Sequence, residues 1–361
     1  KKSNLSKLIQ FAGTHKYLTY LSWILSVISA LLSLFPFWYI WQIMRAVLET
    51  DPTFSSPEVM IGYGWAAVGF AAAAVILYIL ALLCAHLAAF RVATNIRLKL
   101  SEHMMTLPLG SLEAFGSGRL RRIITETSGS VETYLAHQLP DQAKAYGTII
   151  ALLVLLFAID WRFGLLSLLP IVLGFLSMAS MAGKSMQAKM AEFQTALGDM
   201  SNEAVEYIRG IPVVKTFGQT VFSFKRFKGS IDRYSEWATA YTKEVRRPMV
   251  LYTLGINSIF AFLIIGGLLL SENPVNIDFL LNVVFYIIIT PAITVVLGKI
   301  MHQSENQMIV TDALKRIDSV LQISPLTVSE TEHPANASVE LRDVTFSYDG
   351  EKNALNHISL S

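Results

Sequence analysis

The chain has 361 residues, of which 53% are hydrophobic and only 16% charged, against about 25% charged in an ordinary soluble protein. Together with a mean hydropathy of +0.48, this excludes a typical soluble domain and points to a membrane protein. The formal net charge of +2 says little, and the single cysteine, Cys84, excludes an internal disulfide framework or a cysteine-based metal site. In chain order, Lys1, Lys2, Lys7 and Lys16 precede a long apolar run with no small-residue cleavage site after it, so the run reads as a retained helix.

Crossing a bilayer takes about 20 apolar residues. Six segments meet or approach that length, at 17–47, 61–89, 139–158, 163–181, 250–270 and 279–298. The connections at 48–60, 159–162 and 271–278 are short, and together they hold one basic residue, Arg162. They lean acidic, with Glu49, Asp51, Glu58, Asp160, Glu272 and Asp278. The long connections hold six basic residues at 90–138 and eleven at 182–249. An excess of Lys and Arg marks cytoplasmic loops, which places the N-terminus and both long connections in the cytoplasm.

Those connections do not read as loops, because structureless segments of that length are uncommon in compact proteins. Helical apolar spacing continues through 90–107 and 184–207, so the spacing predicts helices that run on past the membrane. The first connection breaks at Pro108, Gly110, Gly116 and Gly118, with one short helix over 111–115 capped by Ser111. The second breaks from Gly210 and Pro212 to Gly218, followed by a short amphipathic helix over 219–227. Phe222 and Phe224 at such a tip are costly unless a partner covers them, which suggests a docking surface.

After the sixth span the composition changes. The stretch 324–338 is rich in Ser, Thr, Pro and Glu and reads as a linker. Val339, Leu341, Val344 and Phe346 then mark strand structure with a break near Asp343. Asp349-Gly350 is a hairpin turn signal, and 354–360 supplies a second strand. About 23 residues cannot bury a core, so 339–361 is expected to be the first hairpin of a larger domain. The predicted fold is an all-α membrane domain (1–323), a linker (324–338) and that β-hairpin (339–361).

This order of six spans, two inward hairpins, linker and strand resembles ABC transporters of the type I exporter fold. Three runs carry the resemblance: Phe115, Gly118 and Arg119; Glu206, Arg209, Gly210, Lys215, Phe217 and Gly218; and Val339 to Tyr348. The resemblance implies a half-transporter in the bacterial inner membrane, driven by ATP with Mg2+ and working with a second half-transporter, either a copy or a related chain. It implies export of a lipophilic or peptide-like compound, or alternatively import of an iron–siderophore complex, for which the 206–227 run looks suggestive. A channel or secondary transporter is the distant alternative. Membrane lipid and a small-molecule substrate are the other partners; nothing suggests nucleic acid or a metal site.

Site residues follow from the same resemblance. Tyr348 matches the aromatic residue that stacks on adenine. The two coupling helices, which dock on the nucleotide-binding domains, would use Ser111, Leu112, Glu113 and Phe115, and Gln219, Thr220, Phe222 and Phe224. No G-x-x-x-x-G-K-[ST] phosphate loop occurs in these residues, and Gly183-Lys184-Ser185 lacks the preceding glycine and strand. Catalytic ATPase residues are therefore expected outside this stretch.

Within the spans, polar residues are costly and are candidates for the substrate path. They are Gln42, Arg45, His86, Lys144, Asn257, Asn282, Tyr286, Thr290 and Lys299, with Trp41 from the aromatic run 35–41. Arg45 and Lys299 lie near span ends and can snorkel. The substrate cavity is expected to use Trp41, Asn257, Asn282, Tyr286 and Thr290. Asp141 and Lys144 are spaced to pair on one helix face. Pro291 is expected to kink the sixth span as a hinge.

Overall fold

The computed structural model describes residues 4–50, 57–179, 184–217, 221–271, 276–301, 303–326, 337–347, 350 and 352–361. The helices are α1 Asn4–Ala12, α2 Lys16–Leu32, α3 Phe35–Arg45, α4 Pro57–Met105, α5 Leu109–Phe115, α6 Ser117–Arg122 and α7 Ser128–Thr133. They continue with α8 Leu139–Ile159, α9 Trp161–Ala179, α10 Lys184–Phe217, α11 Val221–Asn257, α12 Ile259–Leu270, α13 Ile277–Met301 and α14 Gln303–Leu321. Two strands follow, β1 Leu341–Ser347 and β2 Asn353–Leu360.

Five helical segments are long and apolar enough to cross a bilayer: Asn4–Leu48, Pro57–Met105, Ser117–Ile159, Trp161–Ala179 and Ile277–Ile300. A bent pair, Lys225–Asn257 with Ile259–Leu270 at an angle of 47°, makes the fifth crossing in chain order when taken as one span, and Ile277–Ile300 is then the sixth. The run expected at 17–47 is interrupted at Ser33–Leu34, because Pro36 in the first turn of α3 cannot donate to a continuing helix.

The extensions past the membrane are long. α4 has 49 residues, about 74 Å at the helical rise, against a hydrocarbon core of about 30 Å. α10 and α11 form an antiparallel hairpin of comparable reach. Ion pairs Lys189–Glu244 and Arg226–Glu203 fasten it, with ring contacts from Phe193 to Tyr234 and Tyr241 and from Tyr207 to Phe227. The break expected at Gly210–Pro212 does not occur: α10 passes through both residues to Phe217. An interior proline costs about 3 kcal/mol intrinsically, and the contacts along the hairpin offset that loss. The amphipathic segment from 221 on is likewise the first turns of α11 rather than a separate helix.

Two cores hold the helices. One joins α1, α4, α7 and α14 through Leu8, Val92, Ile96, Leu100, Val131 and Ile317. The other joins α3, α8, α9, α11, α12 and α13 through Trp41, Leu156, Phe163, Tyr252, Leu263 and Tyr286. Between helices in lipid, small residues permit close backbone approach. Ser22, Ser26 and Ser29 of α2 are fully buried, and Ser29 Oγ donates to the Ala74 carbonyl of α4 at 2.7 Å. Elsewhere large apolar side chains such as Ile76, Leu83, Val154, Leu173 and Leu268 face outward, as lipid-facing surfaces require.

The strands form an antiparallel hairpin. Its register shifts between Leu341 and Val344, where Asp343 (φ 50) and His357 (φ 51) are left-handed and hydrogen-bonded to each other at 2.7 Å. The irregularity falls where the sequence predicts a break, and Gly350 (φ 77) takes the turn conformation that favours glycine.

Candidate functional site: polar residues of the bundle and the elbow after α4

Around the α8–α9 turn, the structure gathers several of the polar candidates. Tyr286 of α13 is fully buried. Its hydroxyl proton lies between the carbonyls of Leu156 and Asp160, the latter at 2.6 Å, and its oxygen accepts from the Asp160 amide at 3.3 Å. Thr290 is also buried and donates to the Tyr286 carbonyl at 2.7 Å. The polar atoms of both are engaged by backbone carbonyls. Trp41 is buried, donates through Nε1 to the Leu281 carbonyl at 3.2 Å and packs edge-on to Phe285. The Arg45 guanidinium lies 5.6 Å from the Trp41 ring centroid and 4.0 Å from Asp278.

Asn282 is half-buried and hydrogen-bonds Asp160. Asn257 is exposed at the end of α11, its amide donating to the Thr253 carbonyl within its own helix at 2.8 Å. Pro291 is exposed and α13 continues through it without a break. A bend of 47° lies at Ser258, between α11 and α12.

Asp160 is a buried charged residue at the α8–α9 turn that the sequence did not single out. The sequence placed it among the acidic residues of a short loop, and the structure buries it. The Arg162 amide donates to its Oδ1 at 2.9 Å, and the guanidinium meets the carboxylate at 3.2 and 3.1 Å. Burial pushes the acid's pKa up, but the hydrogen bonds and charge of Arg162, with Asn282, win and hold it below the usual carboxylate range. A folded-state pKa below the unfolded one adds stability above the unfolded value, about 3.9. That stability is lost as pH falls through the folded value. The melting temperature should therefore fall on acidification below about pH 5, and Asp160→Asn should flatten that limb in a thermal-melt pH series.

Between α4 and α8, the expected Asp141–Lys144 pair is mediated by a third residue. Tyr78 donates to Asp141, and Lys144 Nζ sits 3.9 Å from the Tyr78 ring centroid. An aromatic face attracts the ammonium while the hydroxyl satisfies the acid, so one side chain serves both charges across the helix pair. Tyr78→Phe keeps the ring and deletes the hydroxyl. It should cost about 1.5–3 kcal/mol, the range for a hydrogen bond to a charged group, read as a lowered melting temperature. A little further along, His86 and His137 meet edge to face at 4.6 Å.

The elbow after α4 holds the first predicted docking element. α5 begins at Leu109, two residues before Ser111, because the Pro108 carbonyl accepts from the Ser111 and Leu112 amides at 3.0 and 3.3 Å. Ser111 therefore lies inside the helix and does not cap it. Leu112 is half-buried and Glu113 exposed. Phe115 turns inward onto the α1–α4–α7–α14 core, with the Arg119 guanidinium 5.0 Å from its ring centroid. The free apolar surface is supplied instead by Met105 and Leu109, 82% and 72% exposed. Gln219, Thr220 and Tyr348 lie outside the described residues. Phe222 and Phe224 fall on the first turns of α11, and their side chains are outside the description.

ATP and Mg2+ are implied by the resemblance, and Tyr348, the residue it offers to the adenine ring, lies outside the described residues.

Long, bent, lipid-facing helices with extended cytoplasmic-type hairpins define a polytopic helical membrane protein. Residues 19–246 match the family model for the ABC transporter transmembrane region. The chain belongs to that family. It is similar to the mycobactin import ATP-binding/permease protein IrtA of Mycolicibacterium smegmatis, 29% identical over 76% of this chain and 32% of that protein. The Mycobacterium tuberculosis protein of the same name is 30% identical over 59% of this chain and 25% of its own length. The ATP-dependent lipid A-core flippase of Vibrio cholerae is 26% identical over 75% of this chain and 46% of that protein. The chain thus spans less than half the length of these relatives.

Proposed function

We propose that this chain is the membrane-spanning half of an ATP-driven, dimeric small-molecule transporter. The observation that carries the reading is the combination of five candidate spans and a bent pair with the elbow after α4, where Met105 at the end of α4 and Leu109 at the start of α5 are exposed. Apolar anchors with a polar rim suit docking to a second domain. In this reading α5 and the 218–224 tip contact the nucleotide-binding domains, Tyr348 stacks on adenine, and ATP acts with Mg2+. The excess of Lys and Arg in the long connections supports a cytoplasmic N-terminus and hairpins, with the Asp160 turn on the outer side of a bacterial inner membrane.

Two directions of transport follow. Over alignments that cover about three quarters of this chain, the relative named for mycobactin import is 29% identical and the flippases are 22%, 26% and 24% identical, while a shorter match to a further flippase, over 38% of this chain, reaches 30%. The difference over the longer alignments favours import of an iron–siderophore complex over export of a lipophilic compound. The test is reconstitution of the full-length protein and its partner half in vesicles. Radioiron-labelled ferric siderophore and a lipophilic dye are offered in both orientations. ATP-dependent movement of the ferric complex toward the ATP side supports import; movement of the dye alone supports export; movement of neither overturns the transporter reading.

A further inference from the structure

The chain leaving α14 does not drop free after Leu321. The Leu326 amide donates to the Thr106 carbonyl at 2.7 Å, and His103 Nε2 lies 3.1 Å from the Ile323 carbonyl. A carbonyl only accepts, so His103 must carry a proton on Nε2. Both acceptor and donor on the α4 side sit within six residues of Leu109, where α5 begins. The same place is packed from within: Leu321 and Met104 lie against the core that also takes Phe115, and Leu107 is buried.

α14 is itself anchored upstream. Asn4 Nδ2 donates to Thr311 Oγ1 at 2.7 Å and Lys7 pairs with Asp318, so α1 is fastened along α14. Asn95 donates to the Phe11 carbonyl at 2.8 Å, fastening α1 in turn to α4. Segment 322–326 closes this loop of contacts at its far end.

We infer that segment 322–326 is a strap that makes the end of α14 and the root of α5 move as one body, with His103 as its positioning residue. A displacement of the sixth span is then passed to the elbow helix within the same chain, in addition to any contact α5 makes with another domain. The functional consequence rests on the transporter reading; the strap itself does not.

The test uses the full-length protein with its partner half. In a Cys84→Ser background, Thr106→Cys with Leu326→Cys places two thiols across a backbone hydrogen bond, near the separation a disulfide spans. Mild oxidation in membranes should crosslink the pair, and His103→Leu should slow that crosslinking while His103→Gln, which keeps a donor, should not. Failure to crosslink, or equal rates in all three backgrounds, overturns the strap whether or not the protein transports. In vesicles, the crosslinked protein should retain transport, and a loss reversed by reductant shows that the segment must separate and overturns the inference. His103→Leu should lower substrate moved per ATP hydrolysed by about fivefold, the factor matching one neutral hydrogen bond, with His103→Gln near the parent value.

Discussion

Replacing Tyr286 with Phe should destabilise the bundle by about 1–3 kcal/mol, the cost of leaving a buried polar partner unsatisfied. The ring stays, so its packing against Phe163 and Phe285 is retained. What is lost is the single proton that serves the Leu156 and Asp160 carbonyls and the oxygen that receives the Asp160 amide. These groups sit where α8 ends, and the last carbonyls of a helix have no partner within it. Tyr286 thus acts as a cap for α8 supplied from α13. Tyr286→Ala adds a cavity and should raise the cost to about 3–5 kcal/mol, the range for a large aromatic truncation. Melting of the purified protein in detergent reads both. A Phe variant as stable as the parent would show that water or another group replaces the hydroxyl, and would restore Tyr286 as a candidate for the substrate path.

Tyr286 also shows where the sequence was legible and where it was not. Six spans could be read because apolar runs of this length have few alternative uses, and every span lies near its expected place. The elbow helix could be read from Pro108 and Gly116, whose backbone constraints are local; Gly116 ends α5 at φ 74. Pro212 was misread because its local cost is set against a hairpin whose ion pairs and ring contacts join residues tens of positions apart. The partners of the polar candidates were not legible for a related reason. A polar residue in a span announces that it needs a partner, but the sequence does not say whether that partner is a substrate or a carbonyl on another helix. In this structure Tyr286 and Trp41 meet carbonyls of other elements, Thr290 meets one of its own helix, and Asn282 and Asp160 partner each other.

The other large effect is expected at Gly255. A Cβ built there would lie 2.7 Å from the Pro170 carbonyl oxygen and 3.0 and 3.1 Å from the Gly174 Cα and N. All three are backbone atoms of α9, so no side chain can rotate away; α9 and α11 would have to separate. Gly174 makes the reciprocal approach, its own Cβ position lying 3.3 Å from the Tyr252 carbonyl. Helices in a membrane gain their association from such close packing. Gly255→Ala should therefore cost at least the 1–3 kcal/mol typical of overpacking a well-packed site, and Gly255→Leu should abolish folded protein on size exclusion. Gly266 is the instructive contrast. Its Cβ position falls on the Leu166 side chain, which can change rotamer, so Gly266→Ala should cost less. Gly62 in α4 has open space around its Cβ position. Gly62→Ala should stabilise by about 0.5–1 kcal/mol through helix propensity alone. The expected order of melting temperatures is Gly62→Ala, parent, Gly266→Ala, Gly255→Ala. Equal melting of the Gly255 and Gly62 variants would mean that the α9–α11 contact is looser than its geometry requires. Because Gly255 sits three residues before the bend at Ser258, the same substitution also tests whether that bend is held by the crossing with α9. If it is, a Gly255 variant that still folds should lose transport more steeply than it loses stability, whereas Gly266→Ala should lose the two together.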